Sequence, residues 1–284
     1  DRCDARLTYH SNDCSMRCHH CGTEKKLAVN CKDCNSTALH HYGYGTERIE
    51  KALTERFSGV GILRIDRDST RRKNALQEKL GQIEENQILI GTQMLAKGHH
   101  FPNVTLVGIV DADQGLFGSD FRASERMSQL ILQVAGRAGR AEHPGKVFIQ
   151  THCPDHPLMQ MIVTQNYHNI ANSLLEERKQ TEFPPFSFLA LMRAESTRAN
   201  APTDFLLHTI QLANQFNLRG IELFGPMPAP MEKRAGKFRA QLLVSAKSRQ
   251  LLHQLLSTWT PAIDNSKISR TVRWSVDVDP QEIL

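Results

Sequence analysis

The sequence predicts an α/β protein in three parts: a cysteine-rich metal-binding module over residues 1–40, a parallel-sheet α/β layer over 41–182, and a small α+β ferredoxin-like domain over 183–284. Three observations predict it. Six of the seven cysteines fall within the first 34 residues. From residue 46 to 181, short β-branched runs alternate with amphipathic helical stretches, the pattern of βαβ units. Beyond residue 188 the order of runs becomes βαββαβ, the order of a ferredoxin-like sandwich.

In the first part, Cys18-x-x-Cys21 and Cys31-x-x-Cys34 are two thiolate hooks with nine residues between them. Each pair in a tight turn offers two sulfurs to a tetrahedral Zn²⁺. The surrounding residues are polar, so metal has to stand in for a missing core. Spacing alone places all four sulfurs on one ion. Cys3 opens the segment, and His10, His19, His20, His40 and His41 read as surface histidines. Clustering of this kind favours metal ligation in a reducing cytoplasm over disulfides. The chain starts at Asp1 with the cysteine pattern already under way, so it is expected to be the back part of a longer protein.

In the second part, Thr46 is the expected N-cap of a helix whose apolar stripe is Ile49, Leu53 and Phe57. A strand follows over 61–66, then a polar helix through Leu76, Leu80 and Ile83, and a strand over 87–91. Residues 104–110 and 146–150 read as two further strands, and 157–181 as one long helix. Functional loops of such a sheet gather at the carboxyl ends of its strands, where Thr92, Gln93 and Lys97 lie. Thr92 and Lys97 suit a nucleic-acid backbone, and Gly98 lets the chain pass close to it. Asp111 and Asp113 read as loop-end carboxylates with a conformational role. Phe183-Pro184-Pro185-Phe186 marks the end of this part, because two successive prolines cannot continue a helix.

In the third part, strands are expected at 188–192, 221–224, 240–245 and 272–278, with helices near 205–216 and 251–256 and a proline-rich turn over 225–230. Lys233, Arg234, Lys237 and Arg239 put four cations into seven residues around Phe238. Aromatic and basic residues together suit single-stranded or branched DNA, or an acidic peptide tail. Gln241 is placed to add a hydrogen bond to such a tail.

Composition sets outer limits. Hydrophobic content of 40% and charged content of 23% are those of a globular protein, and no apolar run approaches the ~20 residues of a membrane span. A net charge of +5 permits nucleic-acid binding without requiring it.

The most specific stretch is Gln133-Val134-Ala135-Gly136-Arg137-Ala138-Gly139-Arg140. On one helix, Gln133, Arg137 and Arg140 share a face, and Gly136 and Gly139 each cost about 1 kcal/mol in a helix interior, which close approach to another body would explain. A planar guanidinium fork suits triphosphate oxygens better than an ammonium does. The string resembles the last signature motif of superfamily 2 helicases, whose arginines reach the γ-phosphate of ATP held by the other motor lobe. Upstream, Gly91-Thr92-Gln93-Met94-Leu95-Ala96-Lys97-Gly98-His99-His100-Phe101 resembles the preceding motif, which touches DNA phosphates and the nucleotide. With the cysteine cluster and the ending Val276-Asp277-Val278-Asp279-Pro280, the chain is similar to the C-terminal portion of the PriA family of bacterial primosomal helicases.

That resemblance implies a RecA-like second helicase lobe with a truncated zinc-binding insertion. It implies two interleaved zinc sites: Cys3, Cys18 and Cys21 in one, Cys31 and Cys34 in the other, each needing cysteines from before residue 1. It further implies 3′-to-5′ unwinding of forks and D-loops using ATP and Mg²⁺, and replication restart through the single-stranded-DNA-binding protein, PriB, DnaT and, through them, the replicative helicase. The residues themselves contain no Gly-x-x-x-x-Gly-Lys-[Ser/Thr] loop: Val147 follows Gly145-Lys146, and Phe238 follows Gly236-Lys237. No Asp-Glu-x-His box appears either. Alone, the chain is therefore expected to be inactive as an ATPase. The alternative from another class is an ATP-independent zinc-containing scaffold that binds branched DNA and loads partners.

Overall fold

A computed structural model describes residues 8–10, 15–18, 21, 23–26, 30, 34–37, 45–66, 69–70, 74–83, 86–96, 104–118, 120–136, 138 and 145–283. The chain divides into two compact units, Tyr42–Leu174 and a second that joins Asp1–His41 to Leu175–Leu284.

At the start, β1 (Thr8–His10), β2 (Ser15–Arg17) and β3 (Glu24–Lys26) form an antiparallel meander. All three residues of β3 are exposed, so that strand adds no apolar core. Cys18 follows β2 directly, and its N–H donates to the Thr23 carbonyl at 2.9 Å, closing the turn that carries Cys18 and Cys21.

The unit Tyr42–Leu174 begins with α1 (Thr46–Arg56), β4 (Gly61–Ile65), α2 (Ala75–Gly81) and β5 (Gln87–Gly91). The cap of α1 is Gly45, not the expected Thr46. Thr46 is the first helical residue, and its hydroxyl is drawn away to Asp66. Next come α3 (Gln93–Ala96), β6 (Leu106–Ile109), α4 (Asp113–Leu116), α5 (Ala123–Ala135), β7 (Lys146–Ile149), α6 (Pro157–Val163) and α7 (Tyr167–Gln180). The expected parallel pairing is present, with Gly61 opposite Gln87 and Leu106 opposite Lys146. The described strands pair in twos instead of as one sheet, β4 with β5 and β6 with β7. The single helix expected over 157–181 is two. Gln165 takes a left-handed φ of 53°, which ends the first, and the Asn166 side chain accepts from the Asn169 N–H at the start of the second. Ala112, Met127, Ile131, Leu158, Met159, Ile162 and Ile170 form the apolar core that joins α4, α5, α6 and α7.

The second unit holds β8 (Phe188–Ser196), α8 (Ala201–Gln215), β9 (Ile221–Arg234), β10 (Lys237–Ala246), α9 (Arg249–Asp264) and β11 (Arg273–Val278). The strands lie in the order β11-β8-β10-β9 with every neighbour antiparallel, the ferredoxin-like arrangement expected from βαββαβ. Ala190, Met192 and Ala194 on β8 and Ala240, Leu242, Val244 and Ala246 on β10 alternate onto one face. There they meet Phe205 and Leu206 of α8 and Leu252, Leu255, Trp259 and Ile263 of α9. Trp259 is fully buried, and its indole N–H donates to the Thr209 carbonyl at 2.8 Å.

The proline-rich stretch is not a turn. Residues 225–230 continue β9, with two register shifts against β10. Proline is tolerated there because β9 is an edge strand, where alternate backbone groups face away from the sheet and need no N–H. Pro226, Pro228 and Pro230 fall at every second position, which also leaves few donors for unwanted edge pairing. The turn lies instead at Ala235-Gly236, between the paired Arg234 and Lys237. Both residues have positive φ, 51° and 83°, the signature of a two-residue hairpin whose twist matches its strands.

Candidate functional site

The side chains with most chemistry in the unit Tyr42–Leu174 lie just beyond the carboxyl ends of its parallel strands. After β4, Asp66 is buried, and its carboxylate accepts from the Thr46 hydroxyl at 2.6 Å and the Ser69 N–H at 2.7 Å. Arg64 Nε stands 3.3 Å away, and the same guanidinium reaches Glu47 and Glu50 at 3.3 Å each. Burial raises the Asp66 pKa, but the donors from Thr46 and Ser69 and the charge of Arg64 outweigh it and hold the carboxyl below the ordinary value. At the last position of β5, Gly91 admits no side chain: a Cβ there would lie 2.5 Å from the Ile65 carbonyl oxygen. Thr92 and Gln93 follow and are exposed, and α3, which Gln93 opens, packs against α5. Lys97 and Gly98 lie outside the described residues.

Beyond β6 and β7, Asp113 meets Thr151 and His152. Its Oδ1 accepts from the Thr151 hydroxyl, and its Oδ2 from the His152 N–H at 2.8 Å, with His152 Nδ1 at 2.7 Å. The Thr151 hydroxyl, the His152 backbone and the His152 ring together hold the Asp113 carboxyl below its ordinary pKa. Asp111, two residues earlier, has a left-handed φ of 57°.

The helix expected to carry Gln133 and both arginines ends sooner. α5 stops at Ala135, and Gly136 is its C-cap, so Gly136 has no helix-interior cost to explain. Gln133 is exposed near that end. Arg137, Gly139 and Arg140 lie outside the described residues.

In the cysteine meander, Cys18 is buried and Cys21 half-buried on one tight turn, with Cys21 Sγ 3.1 Å from the Thr23 hydroxyl oxygen. Two thiols at this spacing fit half of a zinc knuckle. Cys34 is exposed, and Cys3 and Cys31 lie outside the described residues. Among the described residues, no three His, Cys, Asp or Glu side chains gather as a complete metal set.

The basic cluster of the C-terminal sheet is not one loop. Residues opposite each other on paired strands share a face, so Arg234 and Lys237 point one way, and Lys233 and Phe238 the other. Lys233 Nζ stands 5.0 Å over the Phe238 ring. Arg234, Lys237 and Arg239 lie on the face away from α8 and α9; Arg239 is opposite Glu195, which is itself opposite Arg273, and Arg193 lies two residues along β8, opposite Gln241. Lys237 Nζ reaches Glu195 at 2.7 Å, and Arg193 reaches Asp277 at 2.9 Å. Burial lowers the Arg239 pKa, Arg234 and Arg193 add to that, and Glu195 opposes them. A cation in that position favours an incoming anion. Gln241 does not serve as a free donor here. It is buried, and its amide donates to the Ile283 carbonyl at 2.9 Å, because residues 280–283 fold back onto this face. The Arg193 guanidinium fixes the same segment by donating to the Glu282 carbonyl at 3.0 Å.

Sequence reading missed Asp66, Arg193, Glu195, Arg273 and the Thr151–His152 pair, and it named Gly91 as part of a motif without its steric reason. The one available signal was position: an Asp, a Gly or a Thr at the carboxyl end of a predicted parallel strand.

Comparison with known proteins adds family and order. Residues 1–26 match the model for the PriA DNA helicase Cys-rich region, residues 25–142 that for the helicase conserved C-terminal domain, and residues 179–281 that for the primosomal protein N C-terminal domain. The chain is 45% identical to the replication restart protein PriA of Haemophilus influenzae, over 99% of this chain and 38% of that protein. It is 38% identical to the protein of that name from Synechocystis, over 87% of this chain and 30% of the relative. The Bacillus subtilis protein of that name is 34% identical, over 99% of this chain and 35% of the relative. The chain thus spans 30–38% of the length of these relatives. Among the described residues, no helix is long and apolar enough to cross a membrane.

Proposed function

The chain belongs to the PriA family of replication restart proteins, and on that premise we propose that it supplies the second motor lobe and C-terminal domain of an ATP-dependent 3′-to-5′ DNA helicase. Working within a longer protein, it acts on stalled forks and D-loops and starts primosome assembly. The observation that carries this reading is the helicase C-terminal match, which ends at residue 142 and so includes the string Gln133–Arg140. In that reading Arg137 and Arg140, with Gln133, reach the triphosphate of ATP bound with Mg²⁺ by another lobe, while Thr92, Gln93, Lys97 and Gly98 follow the DNA backbone. Gly136 and Gly139 keep the arginine segment slim. Packing of α3 on α5 supports a common origin for both effects, since it joins the two motifs inside one unit.

Cys18 and Cys21, with Cys3, would hold one zinc and Cys31 with Cys34 another, each completed by upstream cysteines; zinc would supply the rigidity that this polar segment lacks. The cationic face of the C-terminal sheet, through Arg234, Lys237 and Arg239, with Lys233 on the opposite face, would bind branched or single-stranded DNA or the acidic tail of the single-stranded-DNA-binding protein. PriB, DnaT and the replicative helicase would follow as partners of the assembled complex in the bacterial cytoplasm. The test compares this chain alone with the full-length protein for DNA-stimulated ATP hydrolysis and fork unwinding. The reading expects both activities in the full-length protein and neither in the chain alone. Hydrolysis by the isolated chain would show that it holds its own nucleotide site and overturn the division of labour.

A further inference from the structure

We infer that Asp113 is a positioning residue that fixes the C-terminal end of α5, where Gln133 stands and from which the chain runs on to Arg137 and Arg140. Asp113 receives its donors from two consecutive residues, Thr151 and His152, just past β7. One residue earlier, the Ala112 N–H donates to the Gln150 carbonyl at 3.1 Å. The start of α4 is thus fastened to the end of β7 by backbone and side chain together. From there α4 packs directly on α5. A Cβ at Gly115 would lie 2.3 Å from Met127 Cβ, so α4 touches α5 with nothing but a hydrogen between them. Ala112, Met127 and Ile131, with Leu116 and Leu132 against them, fill one apolar cluster on both sides of that contact. Close-packed groups transmit displacement instead of absorbing it. Loosening α4 from β7 therefore shifts α5, whose last turn bears Gln133 and leads into residues 137–140.

A proton-transfer role for Asp113 fits poorly, because donors from Thr151 and His152 already engage both of its oxygens. A solvated surface carboxylate fits no better, since its side chain is only 12% exposed.

This inference rests on the reading that Arg137 and Arg140 act on ATP. In the full-length protein, Asp113→Asn puts an amide against donors that need an acceptor. The expected result is a drop in DNA-stimulated kcat on the order of ten- to a hundredfold, with KM for ATP and the unfolding midpoint little changed, since a misplacement of about 1 Å can cost that much. Thr151→Val removes one donor at constant volume, is expected to give a smaller drop of the same kind, and carries the test if Asp113→Asn does not fold. On an Arg137→Lys background with a measurable residual rate, Asp113→Asn is expected to add little, because both changes act through one geometry. If Arg137→Lys leaves the rate unchanged, the functional reading fails and this inference with it. If Arg137→Lys is harmful but Asp113→Asn leaves kcat alone, raises KM instead, or multiplies the Arg137→Lys loss in full, the positioning role is overturned while the functional reading stands.

Discussion

Asp66 is buried, its carboxylate accepting from Thr46 and Ser69 and paired with Arg64. Asp66→Ala is expected to destabilise the unit Tyr42–Leu174 by about 1.5–3 kcal/mol, the range for hydrogen bonds to a charged group, read as a lower urea midpoint of that unit's transition. Because the folded pKa is depressed, its stabilisation is complete above the unfolded value of roughly 4 and is lost as pH falls through the folded one. The wild type should therefore lose stability faster than Asp66→Ala on acidification from about pH 5 to pH 3; parallel curves would remove Asp66 as a source. Gly91 poses a steric question at the same scale. Gly91→Ala forces a Cβ onto the Ile65 carbonyl and is expected to cost about 1–3 kcal/mol, typical of overpacking. None of this was legible in the sequence. Thr46 and Asp66 are 20 residues apart, and only the fold brings a helix start to a strand end. What the sequence did carry was local: the Cys18–Cys21 spacing, and the glycine and arginine string after Gln133.

Elements were legible where periodicity and surroundings agreed. In the C-terminal domain, apolar runs at β8, β10, α8 and α9 correctly foretold both type and order, because one face of each element is buried in a single core. Trp259→Ala should cost about 3–5 kcal/mol by calorimetry or denaturant titration, since it empties the centre of that core and removes the indole donor to the Thr209 carbonyl. The misread element is β9, where proline signals a turn unless the strand lies at an edge, and being at an edge depends on the other strands. The actual turn is sensitive in its own way. Gly236→Val, at φ 83°, should destabilise the β9–β10 hairpin by at least about 1 kcal/mol, while Gly108→Ala, whose Cβ meets nothing within 4 Å, should be nearly neutral.

For the whole molecule, charge and connectivity decide what the pieces do together. A net charge of +5 is modest, so any affinity for DNA has to come from local groups such as Arg234, Lys237 and Arg239 on one sheet face. Removing Arg234 in the full-length protein should weaken binding to all DNA sequences alike and reduce the salt dependence by about one unit of slope. The order of cysteine region, helicase lobe and C-terminal domain was legible in the motifs alone, whereas the opposed faces of the basic cluster were not, because register is a property of pairing. The most direct measurement is the DNA-stimulated ATP turnover of the full-length protein with Arg137→Ala and with Arg140→Ala, alongside DNA affinity. If Arg137 and Arg140 act on ATP as proposed, each change lowers kcat by roughly a thousandfold or more with DNA binding retained, the scale of an arginine finger. Turnover within a few-fold of wild type for both would contradict that proposal.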